Sequence, residues 1–171
     1  MLEARQERQS DRTQVATDLM LRPLDRLVGR WTSEATHPAH QGAVVSGTLS
    51  AEWLEGGHFL IIRTRNDHPD FADAISVVGF ADVDRVGEPA DATAAQGTQM
   101  RMHYFDSRGV SRVYEAGIDA DTWRLWRDAP GLSQTFVGEF ADDGDTVFGL
   151  WRMCRDGAEW TDDLRVVYRR Q

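Results

Sequence analysis

The feature that most limits how this chain can fold is a succession of ten short segments of alternating polar and apolar residues, divided by turn signals. They fall near residues 30–37, 43–53, 58–66, 73–82, 98–105, 110–117, 121–128, 132–140, 145–154 and 158–170. Glu55-Gly56-Gly57, Ser107-Arg108-Gly109, Asp142-Asp143-Gly144-Asp145 and Asp156-Gly157 are hairpin signals between them. The third segment shows how alternation sorts the faces: His58, Leu60, Ile62 and Thr64 share one side, and Arg63 and Arg65 face water on the other. So many strands in one sheet must twist and then either close or split. Closure removes every exposed edge. The expectation is all-β: an up-and-down antiparallel barrel of about ten strands.

Ahead of the first strand, Leu19, Met20, Leu21, Leu24, Leu27 and Val28 recur at helical spacing, with Pro23 near the start and Gly29 as the stop. A short N-terminal helix is therefore expected. Residues 1–17 are polar and read as a flexible tail, and residues 18–171 as one barrel domain. The segment from Asp84 to Gly97, rich in Ala, Gly and Asp, reads as a flexible loop.

Charge removes several function classes. The net charge is −9, and all nineteen strongly basic residues are Arg, with no Lys. Such a chain lacks the positive field that nucleic acid requires and the polybasic grip that anionic membranes require. Without Lys there is no Schiff-base chemistry. The single cysteine, Cys154, forms no internal disulfide, which fits a reducing compartment. The first twenty residues lack the apolar core of a secretory signal, and no apolar run approaches the roughly 20 residues of a membrane span. A cytoplasmic protein is expected.

Several motifs carry a resemblance. Leu27-Val28-Gly29-Arg30-Trp31 opens the first strand after the helix, and Tyr168-Arg169-Arg170 ends the last. Between them stand Thr36-His37-Pro38, Glu52-Trp53-Leu54-Glu55-Gly56-Gly57, Tyr104-Phe105-Asp106-Ser107-Arg108-Gly109, Trp123-Arg124-Leu125 and Asp142-Asp143-Gly144-Asp145-Thr146. Together these resemble the calycin arrangement shared by lipocalins, fatty-acid-binding proteins and nitrobindin-like barrels. More specifically, they resemble a bacterial family of uncharacterised calycin-like proteins, over about residues 20–170. The resemblance implies a Trp on the first strand closing one end of the barrel beneath an Arg of the last strand. It assigns no reaction. By resemblance alone, a homodimer of nitrobindin type is a candidate assembly.

A barrel of about ten strands is wider than its side chains fill, so the interior is the expected site, for a small hydrophobic or amphipathic molecule. Alternation from Trp31 points the following candidates inward: His37, His58, Leu60, Ile62, Met102, Tyr104, Arg112, Tyr114, Trp123, Arg127, Phe136 and Asp162. A buried Asp162 needs a partner, for which Arg112 or Arg127 is the natural choice. A bulge would invert a strand's list. An alternative is a cofactor-free isomerase or cyclase in the same cavity, with His37 or Tyr104 moving a proton. His37, next to Pro38 at the end of the first strand, also reads as a polar residue of a turn. His37 and His40 need not converge, and no Cys pair or His-Glu-x-x-His supports a metal. Haem enters through the nitrobindin resemblance, yet nitrobindins hold iron through a His on a C-terminal strand, and residues 161–171 contain none. His58, Tyr104 or Tyr168 would have to serve. No cofactor is expected.

Overall fold

The computed structural model describes residues 21–40, 42–80, 83–85, 88–89 and 100–171. A 3-10 helix, Arg22–Leu27, leads into β1 (Gly29–Thr36), β2 (Val45–Trp53), β3 (Leu60–Asn66), β4 (Ala74–Phe80), β5 (Val83–Arg85) and β6 (Glu88–Pro89). Then follow β7 (Met100–Asp106), β8 (Ser111–Ile118), β9 (Thr122–Arg127), β10 (Leu132–Phe140), β11 (Thr146–Arg155) and β12 (Thr161–Arg170). Ten of these close into an antiparallel barrel in the order β1-β12-β11-β10-β9-β8-β7-β4-β3-β2. Neighbours are consecutive strands except at two places: β4 pairs with β7, past β5 and β6, and β1 pairs with β12 to seal the sheet. The remaining two, β5 and β6, pair only with each other. They overlap the start of the segment expected as a flexible loop, Asp84 to Gly97, which thus holds short paired strands; most of it falls outside the described residues. The expected tail, residues 1–17, lies outside them as well. No helix among the described residues is long and apolar enough to cross a membrane.

One end is shut by the residues that carried the resemblance. Leu24 and Leu27 of the helix are buried, with Pro23 in its first turn. Gly29 turns the chain into β1 at φ 125, a conformation that L side chains rarely adopt, and a Cβ there would stand 2.9 Å from the Arg170 guanidinium. Trp31, 2% exposed, donates its indole N–H to the Leu27 carbonyl at 2.9 Å. The Arg170 guanidinium carbon lies 4.0 Å from the centre of that ring. Its nitrogens reach the carbonyls of Val28 and Arg26 at 2.6 and 2.7 Å, and the Asp145 carboxylate at 2.8 Å. Stacking of this kind contributes about 1–2 kcal/mol when desolvated.

Above this plug the barrel is packed solid for part of its height. Phe136 lies 4.9 Å from Trp123 and 5.0 Å from Trp151, ring centre to ring centre. It occupies space left by two glycines: a Cβ at Gly138 or Gly149 would come within 3.0 or 2.6 Å of its ring. Leu60, Val78 and Val147 belong to the same core with almost no exposure.

One strand departs from simple alternation. On β12, Leu164 pairs with Trp151 but Asp162 pairs with Arg152, so Asp163 is an extra residue at a register shift. A bulge of this kind switches the side chains on one side of it. Leu164, Val166 and Tyr168 keep the expected inward direction, while Asp163 takes the inward place expected of Asp162.

Candidate functional site: the cavity at the open end

Strand directions put the loops after β1, β3, β7, β9 and β11 at the end opposite Trp31. There the barrel is hollow. A cavity of about 460 Å³ is bounded by residues from all ten barrel strands and from the loops after β1, β3 and β7. Its wall includes Ala35, Leu49, Ile62, Met102, Leu125, Leu164 and Val166, interspersed with Ser33, Thr64, Ser76, Tyr104, Tyr114, Gln134 and Tyr168. Exposed Asp70 and Arg108 also line it, so it reaches solvent at this end. A largely apolar wall with a few separated polar groups is the lining that small-molecule sites show, and the volume lies in their usual range of about 300–1,000 Å³.

Of the candidates read from the sequence, His37, Ile62, Met102, Tyr104, Arg112, Tyr114 and Trp123 line this cavity. Five do not. Leu60 and Phe136 point inward but are consumed by the solid layer below. His58 belongs to the turn at the closed end, because β3 begins only at Leu60. Arg127 donates to the Leu132 carbonyl at 2.7 Å, across its own hairpin. Asp162 faces outward through the bulge, bound to Arg165 at 2.5 Å with Arg152 at 3.5 Å, and the expected pairing with Arg112 or Arg127 does not form.

The polar groups form three clusters. At the rim, His37, His40 and His68 gather round Phe71 with ring centres 5.6–6.4 Å from it, and His37 and His40 approach to 5.8 Å. The His37 Nδ1 accepts the Ala39 N–H at 3.0 Å, so the proton sits on Nε2 and is donated to Asp163 Oδ1 at 3.2 Å. His40 and His68 stand 3.8 and 3.9 Å from the Asp70 carboxylate. Among the described residues, no group of three such side chains is placed to hold a metal ion.

On the β7–β8 side, the Tyr104 hydroxyl donates to Asp106 at 3.2 Å. Burial, then the neighbouring Asp106 charge, push this phenol up to about 12. The Asp106 side chain is fully covered. Burial would raise its carboxyl, but the Arg108 guanidinium and the N–H groups of Val110 and Arg108 outweigh that and hold it at about 2. Asp106 thereby fixes the whole turn from 106 to 110.

In the wall itself, Gln134 accepts two hydrogen bonds on its carbonyl oxygen, from Arg112 at 2.7 Å and from the Tyr114 hydroxyl at 2.8 Å. Burial raises the Tyr114 phenol, opposed by its hydrogen bond with Arg112 and by the charges of Arg112 and Arg127. Trp123 lines the cavity with its indole N–H buried and unpartnered.

Haem would need an axial ligand here. His58 lies away from the cavity, and Tyr104 is bound to Asp106. Tyr168 lines the wall, but burial pushes its phenol up to about 12, against the phenolate that iron takes. Both ring nitrogens of His37 are already engaged. None of these four side chains offers a ready axial ligand.

Sequence reading missed Asp163, His40, Asp70, Phe71 and Trp151 as parts of this site. Alternation on β11 places Trp151 inside and would have found it. The others depend on a bulge and on two loops whose course no periodicity reports.

No family model matches the chain, and no curated protein matches it. Among solved structures, the crystal structure of Rv2717c from M. tuberculosis superposes with a TM-score of 0.56 at 17% identity, covering 89% of this chain and 97% of that one. That likeness shows the fold: this chain is a closed ten-stranded antiparallel barrel built like Rv2717c.

Proposed function

We propose that this protein binds a small amphipathic molecule in the open half of its barrel. The observation that carries the reading is the cavity of about 460 Å³ above a solid, plugged base. A chain that merely needed a stable core would gain by filling that space, since interiors otherwise pack to crystal-like density. Binding energy would come mainly from burial of the ligand's apolar part, at about 25 cal/mol per Å² removed from water. The polar groups near the rim would orient its other end.

Binding is favoured over catalysis by how the two candidate proton-transfer groups are held. His37 offers no free ring nitrogen, and Tyr104 is held protonated by burial and Asp106. A general base needs a free lone pair within reach of substrate. Native mass spectrometry of the protein purified from its own host tests the reading. A retained non-covalent mass of a few hundred daltons, lost on denaturation, is the expected result. Turnover of such a molecule by the wild type, abolished in His37→Ala while binding persists, would replace the binder with an enzyme.

A further inference from the structure

The charged side chains on the cavity wall are Asp70, Arg108, Arg112 and Asp163. Three of the four face a partner of opposite or complementary character. Arg108 is paired with Asp106 at 2.7 Å, Asp163 accepts from His37 at 3.2 Å, and Asp70 lies beside His40 and His68. Arg112 differs. Its hydrogen-bond partners, Gln134 and Tyr114, are both neutral, and among the described residues it forms no ion pair. A half-buried guanidinium without a carboxylate is unusual in any protein, and more so in one with nine excess negative charges.

The hydrogen-bond inventory points the same way. The Gln134 carbonyl oxygen has two lone pairs and two donors, so it is spent. What remains at this spot is N–H: the rest of the Arg112 fork and the Gln134 amide. Arg112 stands opposite Tyr104 in the register, one step from the open end of β8. Met102, Leu125 and Trp123 lie deeper on the neighbouring strands and present an apolar wall below it. The site is thus a cation near the mouth over an apolar well.

We infer that the ligand is an amphiphile bearing a single carboxylate, with Arg112 as its counter-ion and Gln134 as a second donor. This rests on the binding reading above. A planar carboxylate matches the guanidinium fork with two parallel hydrogen bonds. A phosphate dianion would call for a second cation, and Arg108, the other Arg on the wall, is already committed to Asp106.

Calorimetric titration of the full chain with dodecanoate, dodecanol and dodecyltrimethylammonium, below their micelle concentrations, tests it. The wild type should bind dodecanoate at least ten-fold more tightly than the alcohol, and the cation most weakly. Arg112→Gln should erase the ten-fold advantage of dodecanoate over dodecanol, while Arg112→Lys should keep part of it. The wild-type ladder decides the matter even where a variant fails to fold. Equal affinity for acid and alcohol, or undiminished dodecanoate binding by a folded Arg112→Gln, overturns the carboxylate inference and leaves the cavity reading standing. Failure of all three to bind overturns both.

Discussion

Asp106 shows how much one buried carboxylate can organise. It accepts from two backbone N–H groups, from Arg108 and from Tyr104, all within one turn. Asp106→Asn keeps the shape but loses the charge, and should cost about 1–3 kcal/mol in urea unfolding. The sign of the pH dependence follows from its depressed value of about 2 in the folded chain. The stabilisation is fully present above about pH 4, where the unfolded carboxyl is also ionised, and is lost as pH falls toward 2. Acid unfolding followed by circular dichroism should therefore show a drop between pH 4 and 2 that is smaller in Asp106→Asn, Asp119, also held at about 2, supplying the remainder. Tyr104 and Tyr168 act at the other extreme. Both are raised to about 12, so their contribution is present below pH 10 and fades as pH climbs through 12. Absorbance at the phenolate band should register one phenol fewer titrating late in Tyr104→Phe than in the wild type. Asp106 and Ser107 were readable as turn residues, but the grip of Asp106 on Tyr104 was not, because it joins a strand's inner face to its own hairpin.

Among the elements, the ten strands and the hairpins between them were readable to within three residues, since alternation and Gly-Asp turn chemistry act locally. The bulge on β12 was not. Nothing in Trp160-Thr161-Asp162-Asp163-Leu164 distinguishes which Asp is the extra residue; the pairing with β11 decides it. The two carboxylates therefore exchanged roles, Asp162 to the surface and Asp163 to His37. Strand packing below the cavity makes a further prediction. A Cβ at Gly149 would stand 2.6 Å from Phe136 and 2.8 Å from Val166. Gly149→Ala should lower stability by about 1–3 kcal/mol through overpacking, measured as a reduced denaturation midpoint at unchanged m-value. At the closed end, Arg170→Lys keeps the charge but cannot reach two carbonyls and Asp145 together while stacking on Trp31. It should cost about 1.5–3 kcal/mol by the same measurement.

As a whole, the molecule divides into a sealed base and an open, hollow half. The base was legible because its Gly-x-Trp and final Arg are local motifs, and the resemblance they carried to calycin barrels agrees with the closed topology. The hollow was legible only as an argument about strand number. Its rim was not, because His40, His68, Asp70 and Phe71 arrive there on separate loops after β1 and β3. Methyl-detected NMR of the protein titrated with dodecanoate reads the central claim most directly. Signals from Met102, Ile62 and Leu164, on the cavity wall, should shift together and saturate at one equivalent, while Ile75 and Val113, exposed on the outer face, should stay still. Shifts confined to the outer face, or none at saturating ligand, would contradict a binding cavity inside the barrel.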